Sequence, residues 1–172
     1  ESFLDFCDKP SAIKYLETYD KLYILKSMTK FYSSAGIRVG TIVSTQQNIE
    51  KLKEFEPMWK LSQFDSNYLQ AALDDKLFKN LSKELNVKNK VELENILKES
   101  DLIEEIFESS ANYLLVKLAN LNAKEFQEKL KPYKIMVRDC SNFDYLNERF
   151  VRIAVKSSSA NEILQRALKE IC

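Results

Sequence analysis

The scarcity of glycine is the feature that most limits how this chain can fold. Its 172 residues include two glycines, Gly36 and Gly40, and both lie within ten residues after Lys30. Glycine permits positive φ angles and close approach of a neighbouring backbone, so this segment has a freedom that the rest of the chain lacks. A tight turn between two strands would also account for both glycines, so the glycines alone leave a structural and a functional interpretation open.

The glycine segment lies between two predicted strands. The apolar run at residues 22–25 indicates a buried strand, residues 27–35 are polar and irregular, and a second strand is predicted at residues 37–43. The sequence therefore predicts that Lys30 lies in a loop between two strands. Helices are predicted elsewhere at residues 10–19, 46–55, 64–75 and 77–109, the last with a break near residues 86–89.

The pattern changes along the second half of the chain. Strands are predicted there at residues 113–118, 135–137 and 150–155. A capping box, in which an N-cap side chain and a glutamate three residues later bind the backbone of the first helical turn, is predicted for Asn122 with Glu125 and for Ser159 with Glu162. We therefore predict an α/β protein in two parts: residues 1–75 are the end of a larger α/β domain, and residues 76–172 form a small α+β domain.

Charge and residue counts exclude several functions. The 26 basic and 26 acidic residues balance, which gives no general attraction to nucleic acid or to an anionic membrane. Charged residues interrupt every apolar run before it reaches the length of a membrane span. Histidine is absent, so serine–histidine and cysteine–histidine catalysis are excluded within the chain, and no metal site is expected. Three widely spaced cysteines (Cys7, Cys140 and Cys172) indicate no disulfide framework and favour a cytoplasmic location.

The residues around Lys30 allow two chemical interpretations. In the first, Lys30 is an amine that attacks the aldehyde of pyridoxal phosphate. The hydroxyls of Ser27 and Thr29 and the cation of Arg38 then suit the cofactor's phosphate. In the second, Ser27 and Lys30 form the SxxK pair of a penicillin-recognising acyl enzyme. That pair should open a helix and needs partner motifs that the sequence does not supply, and SxxK alone often matches by chance.

The same segment resembles the lysine signature of the class I and II aminotransferases, which are pyridoxal-phosphate enzymes of fold type I. That signature is roughly S-x-[ST]-K followed by A-G-x-R-x-G, with the arginine eight residues after the lysine. The matching residues are Ser27, Thr29, Lys30, Ala35, Gly36, Arg38 and Gly40. The resemblance implies a transferase-like α/β fold in which residues 1–75 belong to the large cofactor-binding domain and residues 76–172 form the small C-terminal domain.

Other strings extend the resemblance over essentially the whole chain. Glu1–Phe6 resembles the family's D-E-A-[YF]-x-x-F strand end, and Ser110–Val116 resembles its S-x-A-N-F-L-L-V strand. The strings Arg138–Phe143 and Val151–Lys156 resemble the family's closing strands. They are most similar to the histidinol-phosphate aminotransferase group and, within it, to the threonine-phosphate decarboxylases.

The resemblance assigns a role to each matching residue. Lys30 would hold the cofactor covalently and then move a proton, while Ser27, Thr29 and Arg38 would bind the cofactor phosphate. Without the resemblance, arginines further along the chain would be ordinary surface residues.

Two of those arginines take on substrate roles through the same resemblance. Arg152 would bind the substrate carboxylate and Arg138 would bind a phosphate on the substrate, so we expect a small phosphorylated amino acid. The favoured activity is of the threonine-phosphate decarboxylase type, and the alternatives are a histidinol-phosphate-type aminotransferase or a noncatalytic relative. The family is dimeric, so a homodimer is expected.

Two departures from the family pattern bear on activity. The family's aspartate that contacts the pyridine nitrogen would precede Glu1, so we expect this chain to be inactive by itself. Phe3 stands where many of the aminotransferases have a tyrosine, and phenylalanine cannot donate the tyrosine's hydrogen bond. That difference favours the decarboxylase-like relatives.

Overall fold

The computed structural model describes residues 1–171, and the predicted unpaired Cys172 lies outside the described residues. The chain divides into two compact units, and the division falls after Leu81. This is six residues beyond the boundary that the sequence predicted. The division is one of compactness, so the assignment of residues 1–75 and 76–172 to two functional domains stays a prediction.

The first unit is built around a two-stranded antiparallel sheet. Strand β1 (Ile24–Ser27) pairs with β2 (Gly40–Val43), with Ser27 opposite Gly40. Between them, residues predicted to be irregular form one helical turn, α1 (Met28–Phe31). The other elements of this unit are the 3-10 helices Leu4–Phe6 and Ala12–Tyr15 and the helices α2 (Gln46–Lys53) and α3 (Gln63–Asp74).

A long helix, α4 (Lys76–Lys98), begins in the first unit and ends in the second. The predicted break near residues 86–89 is wrong. Asn86 is buried, and its side-chain amide donates a hydrogen bond to the carbonyl of Ala111, so the helix accommodates this polar residue. No helix within residues 1–171 combines the length and the hydrophobicity needed to cross a membrane.

The second unit contains a four-stranded antiparallel sheet in the order β3-β4-β6-β5. Its strands and its further helices are β3 (Ile103–Phe107), β4 (Tyr113–Leu118), α5 (Ala123–Leu130), β5 (Arg138–Asp139), β6 (Phe150–Ala154) and α6 (Ser158–Ile171). The prediction that helix continues to residue 109 is wrong, because residues 103–107 pair with β4. Ile106, for example, lies opposite Val116, and β-branched residues suit such pairing.

The core of the second unit lies against one face of this sheet. Leu114, Val116 and Leu118 alternate with more exposed residues along β4 and are fully buried. Val151 and Ile153 of β6 lie opposite Val116 and Leu114, so they share the same face. Residues of α4, α5 and α6 complete the buried cluster. Burial therefore alternates along β6, with Val151 and Ile153 buried and the residues on either side of them more exposed.

The two predicted capping boxes have different outcomes. At α5, the Asn122 side chain accepts from the Glu125 N–H, and the Glu125 carboxylate accepts from the Asn122 N–H, each at 2.9 Å. This box is confirmed. The box predicted at Ser159 is wrong, because α6 begins at Ser158, so Ser159 lies inside its first turn. The hydroxyl of Ser157 accepts from the Ala160 N–H at 3.4 Å.

Candidate active site

The single turn of α1 presents Lys30 to solvent. Its neighbours Met28, Thr29 and Phe31 are buried, whereas Lys30 is exposed. The Nζ atom of Lys30 forms no hydrogen bond or ion pair with any residue in the range 1–171. The local fold therefore anchors the turn through its other residues and leaves the lysine amine available for chemistry.

The segment after Lys30 includes a hydrogen-bonded turn at Gly36. The Ile37 N–H donates to the Ser34 carbonyl at 3.0 Å, with Ala35 and Gly36 between them, so the tight-turn interpretation fits Gly36. The positive φ of this segment, 52°, is at Ser33, and neither glycine has a positive φ. Gly40 has a different requirement, because a Cβ atom there would lie 3.0 Å from the backbone oxygen of Lys26. Gly36 has nothing within 4 Å of the same position. Close strand approach explains one of the two glycines.

Three of the predicted phosphate-binding residues share one open cleft of about 420 Å³. The hydroxyls of Ser27 and Thr29 lie 2.8 Å apart, and the exposed Arg38 guanidinium donates one hydrogen bond to the carbonyl of Ala35 at 3.1 Å. The residues that line the cleft are Ser2, Leu25, Lys26, Ser27, Thr29, Arg38, Val39, Gly40, Thr41 and Ile42.

This donor set fits a phosphate ester. Arg38 uses one donor on its own loop, and the other donors of its guanidinium fork can meet phosphate oxygens. The hydroxyls of Ser27 and Thr29 each supply a further donor. Ser2 was missed by sequence reasoning. Its hydroxyl accepts from the Ser27 N–H at 2.9 Å and so fixes the backbone of a residue that lines the cleft.

The hydrogen bonds of Ser27 do not support the SxxK interpretation. Ser27 does precede a helical turn, whereas the sequence predicted a strand before it and an irregular segment after it. However, its hydroxyl is engaged with Thr29, and no hydrogen bond within residues 1–171 links it to Lys30. A serine nucleophile would need that lysine, or another base, within hydrogen-bond reach.

The two predicted substrate arginines are direct neighbours in the second unit. Arg138 of β5 lies opposite Arg152 of β6, on the sheet face away from the buried core. The Arg152 guanidinium lies 4.4 Å from the centre of the Tyr113 ring. Arg138 donates to the side-chain oxygen of Asn142 at 3.2 Å and lies 5.8 Å from the centre of the Phe143 ring. Both cations therefore have neutral partners.

The electrostatics around this arginine pair favour an anion. Like charges opposite each other on paired strands repel, and neither arginine forms an ion pair with an acidic side chain of residues 1–171. The nearby Asp139 accepts from the backbone N–H of Ser141 at 2.8 Å, and hydrogen bonding to Ser141 is the largest effect that lowers the Asp139 pKa, ahead of the charges of Lys124 and Arg138. Burial raises the pKa of the Cys140 thiol despite both nearby arginines, so the thiol does not offer them a negative charge.

Sequence reasoning named the charged residues of both candidate sites but did not name the neutral residues that contact the two arginines. Tyr113 lies in the string Ser110–Val116, and Asn142 lies in the string Arg138–Phe143, so both were within matched strings without being assigned a role. Their position in those strings was the available signal. No group of three or more cysteine, aspartate or glutamate side chains in residues 1–171 is arranged to hold a metal ion.

Comparison with known proteins identifies the family of this chain. The sequence pattern of aminotransferase class I and II matches residues 1–171. The chain belongs to the class I and II aminotransferase family. This family depends on pyridoxal phosphate, and membership confirms the fold class that the sequence predicted.

Among its relatives, this family member is similar to both a decarboxylase and an aminotransferase. It is 31% identical over 98% of its length to a protein of Caldanaerobacter subterraneus that carries the name threonine-phosphate decarboxylase, of which it covers 47%. It is 33% identical over 89% of its length to the histidinol-phosphate aminotransferase of Methanocaldococcus jannaschii, of which it covers 41%. The chain thus spans about half the length of the relatives it matches.

Solved structures of the family have the same fold. The histidinol-phosphate aminotransferase of Clostridium acetobutylicum superimposes with a TM-score of 0.92 at 29% identity, over 99% of this chain and 52% of that one. The L-threonine-O-3-phosphate decarboxylase of Porphyromonas gingivalis superimposes with a TM-score of 0.87 over 99% of this chain and 53% of that one. At 23% identity, the second likeness concerns the fold alone.

Proposed function

We propose that the protein containing this chain is a pyridoxal-phosphate enzyme that holds its cofactor on Lys30. The observation that carries this proposal is the exposed amine of Lys30, which has no hydrogen-bond or ion-pair partner among residues 1–171. Lys30 follows Thr29 in sequence, and the hydroxyls of Ser27 and Thr29 share a cleft with the Arg38 guanidinium. When bound, the cofactor supplies an electron sink for bonds at the substrate Cα. Lys30 would hold it covalently and would move a proton, while Ser27, Thr29 and Arg38 would bind its phosphate.

We further propose that the substrate is a small phosphorylated amino acid. Arg152 would bind its carboxylate and Arg138 its phosphate. The support is the adjacent position of two guanidinium groups that form no ion pair with an acidic side chain of the described residues, since such a pair can bind more than one negatively charged group. The relatives named for threonine phosphate and histidinol phosphate both carry a phosphate in their substrate names.

The favoured reaction is decarboxylation of the threonine-phosphate type. It is supported by the match to the decarboxylase relative and by Phe3 at the family's tyrosine position. Transamination of the histidinol-phosphate type is the second candidate, and the 33% identity to an aminotransferase of that name favours it. The two reactions break different bonds at Cα, a choice set by how the substrate is oriented.

A product assay on the full-length protein separates these candidates. We expect L-threonine phosphate with pyridoxal phosphate to release carbon dioxide, and Arg138→Ala and Arg152→Ala to raise KM. A keto product from histidinol phosphate, without carbon dioxide, would favour the aminotransferase. No product from either compound, together with no Lys30-dependent cofactor band, would favour a noncatalytic relative.

The remaining proposals concern assembly and location. We infer a homodimer in the cytoplasm, since dimers are usual in this family and the chain carries no disulfide between its described cysteines. Sedimentation of the full-length protein at micromolar concentration tests the dimer, and a monomer that retains activity would contradict it.

A further inference from the structure

Asp5 lies at the centre of a charged group that the proposed function does not use. It belongs to the 3-10 helix Leu4–Phe6 and is 8% exposed. Its Oδ2 atom lies 2.7 Å from the Nζ atom of Lys26, and its Oδ1 atom lies 3.3 Å from the Nζ atom of Lys79. One buried carboxylate therefore joins two lysines, one through each oxygen.

The two lysines belong to elements on either side of Asp5. Lys26 lies in β1, four residues before Lys30. Lys79 lies in the first turn of α4. Asp5 thus ties the strand that leads into Lys30 to the beginning of α4.

Aromatic side chains join α4 to the two residues that follow Lys30 in the chain. Phe78, the residue before Lys79, stacks on the Tyr32 ring at 5.7 Å between centres and meets the Phe31 ring edge-on at 5.8 Å. Phe31 and Tyr32 directly follow Lys30 in the chain. The turn that carries Lys30 is therefore held before the lysine by an ion pair and after it by ring contacts.

The helical turn needs this support because it is only four residues long. A turn of that length has no stability of its own in water, since the nucleation of a helix is unfavourable. Its orientation must come from the side chains packed around it. Burial alone would raise the pKa of Asp5, but the hydrogen bonds and charges of Lys26 and Lys79 lower it below its ordinary value. The carboxylate is therefore charged at neutral pH, and both ion pairs are present.

We propose that Asp5 is a positioning residue for Lys30. Its carboxylate holds β1 against the first turn of α4, and this fixes the helical turn α1 so that it presents the lysine amine to the cofactor. The inference rests on the proposed function. Asp5 acts through Lys26 and Lys79, so it is a positioning residue and not a catalytic one.

The test measures cofactor affinity and the pH titration of the cofactor's visible band in the full-length protein. We expect Asp5→Asn to weaken pyridoxal-phosphate binding by about tenfold, the lower end of the losses typical at metal sites when a residue that orients a ligand is replaced. The midpoint of the band's pH titration should shift as well. Asp5→Glu, which keeps the charge, should recover part of both effects. Asp74→Asn, at an exposed acid at the end of α3, is the matched control and should change neither.

The outcomes separate this inference from the proposed function. A parent protein with a Lys30-dependent band and an Asp5→Asn variant with unaltered affinity and titration would overturn the positioning role, even if the variant melts at a lower temperature. A parent protein without such a band would overturn the proposed function and this inference together. If Asp5→Asn does not fold, Lys79→Met tests the same role, because it removes one arm and keeps the ion pair with Lys26. We expect a smaller loss of affinity there, and unchanged affinity would overturn the role.

Discussion

The two units of this chain bury their apolar side chains to very different extents. All fourteen residues of the buried hydrophobic cluster belong to the second unit. In the described part of the first unit the buried apolar residues are Ile24, Met28, Phe31 and Val39. The same unit leaves Met58 and Trp59 94% and 91% exposed. The second unit therefore has a core of its own. In the first unit, ion pairs, ring contacts and hydrogen bonds hold the segment that contains the proposed cofactor lysine.

Within this chain, the buried core lies in the second unit, whereas the proposed cofactor lysine lies in the first. Hydrophobic burial stabilises in proportion to the apolar area removed from water, so substitutions in the second unit should dominate the free energy of unfolding. Substitutions in the first unit should act mainly through a few close contacts. The following predictions test that contrast, from the largest expected effect to the smallest.

Truncation of the core should cost most. Phe126 is fully buried, and Phe126→Ala should lower the free energy of unfolding by about 3–5 kcal/mol. Trp59→Ala in the first unit is the matched control and should change it by less than about 0.5 kcal/mol, because the ring is exposed. Urea denaturation of both variants measures the difference. Similar losses in the two variants would contradict the contrast between the units.

The close approach of β2 to β1 should make Gly40 intolerant of a side chain. A methyl group there meets the Lys26 backbone oxygen at 3.0 Å, so Gly40→Ala should destabilise the protein by about 1–3 kcal/mol. Gly36→Ala meets nothing within 4 Å and should be neutral or stabilising by about 0.4–1 kcal/mol. Thermal denaturation compares the two. Equal tolerance at both glycines would show that strand approach does not select glycine here.

Loss of the α5 capping box should have a moderate effect. Asn122→Ala removes the acceptor for the Glu125 N–H and should cost about 1 kcal/mol. Asn120→Ala, two residues earlier at an exposed position outside the cap, is the control and should be close to neutral. Urea denaturation monitored by circular dichroism checks this pair. A control variant as unstable as the cap variant would remove the capping explanation.

The charge on Asp5 should make stability depend on pH at the acid end. Its pKa is lowered in the folded chain, so its stabilising effect is present above the unfolded pKa and is lost as the pH falls through the folded value. The stability difference between the parent and Asp5→Asn should therefore shrink on acidification from neutral pH. Denaturant midpoints at several pH values measure it, and a gap that widens toward acid would mean that the sign is wrong.

The sequence was most informative where local pattern and burial agree. The strand at residues 113–118 was predicted with its observed bounds, because its alternate residues are buried against helices. The Asn122 capping box is also local, since all its atoms lie within four residues. The resemblance of the chain to its family could be recognised from the lysine signature around Lys30 and from four further matching strings, which depend on sequence alone, and the match over residues 1–171 confirms it.

The failures share a dependence on distant contacts. Strand β3 contains two glutamates and comes directly after a segment whose composition is typical of helix. Only its pairing with β4 shows that it is a strand. Asp5 lay within the matched string Glu1–Phe6, but its ion pairs could not be predicted, because its lysine partners lie 21 and 74 residues further along the chain. The neighbouring positions of Arg138 and Arg152 likewise depend on strand register. The candidate charges could be predicted, but the residues that hold them in place could not.

Covalent mapping of the cofactor tests the central claim most directly. The full-length protein is incubated with pyridoxal phosphate, reduced with borohydride, digested and examined by mass spectrometry, beside a Lys30→Ala variant. We expect the added cofactor mass on the peptide that contains Lys30, and no labelled peptide in the variant. Attachment at another lysine, or no attachment in folded protein, would contradict the role proposed for Lys30.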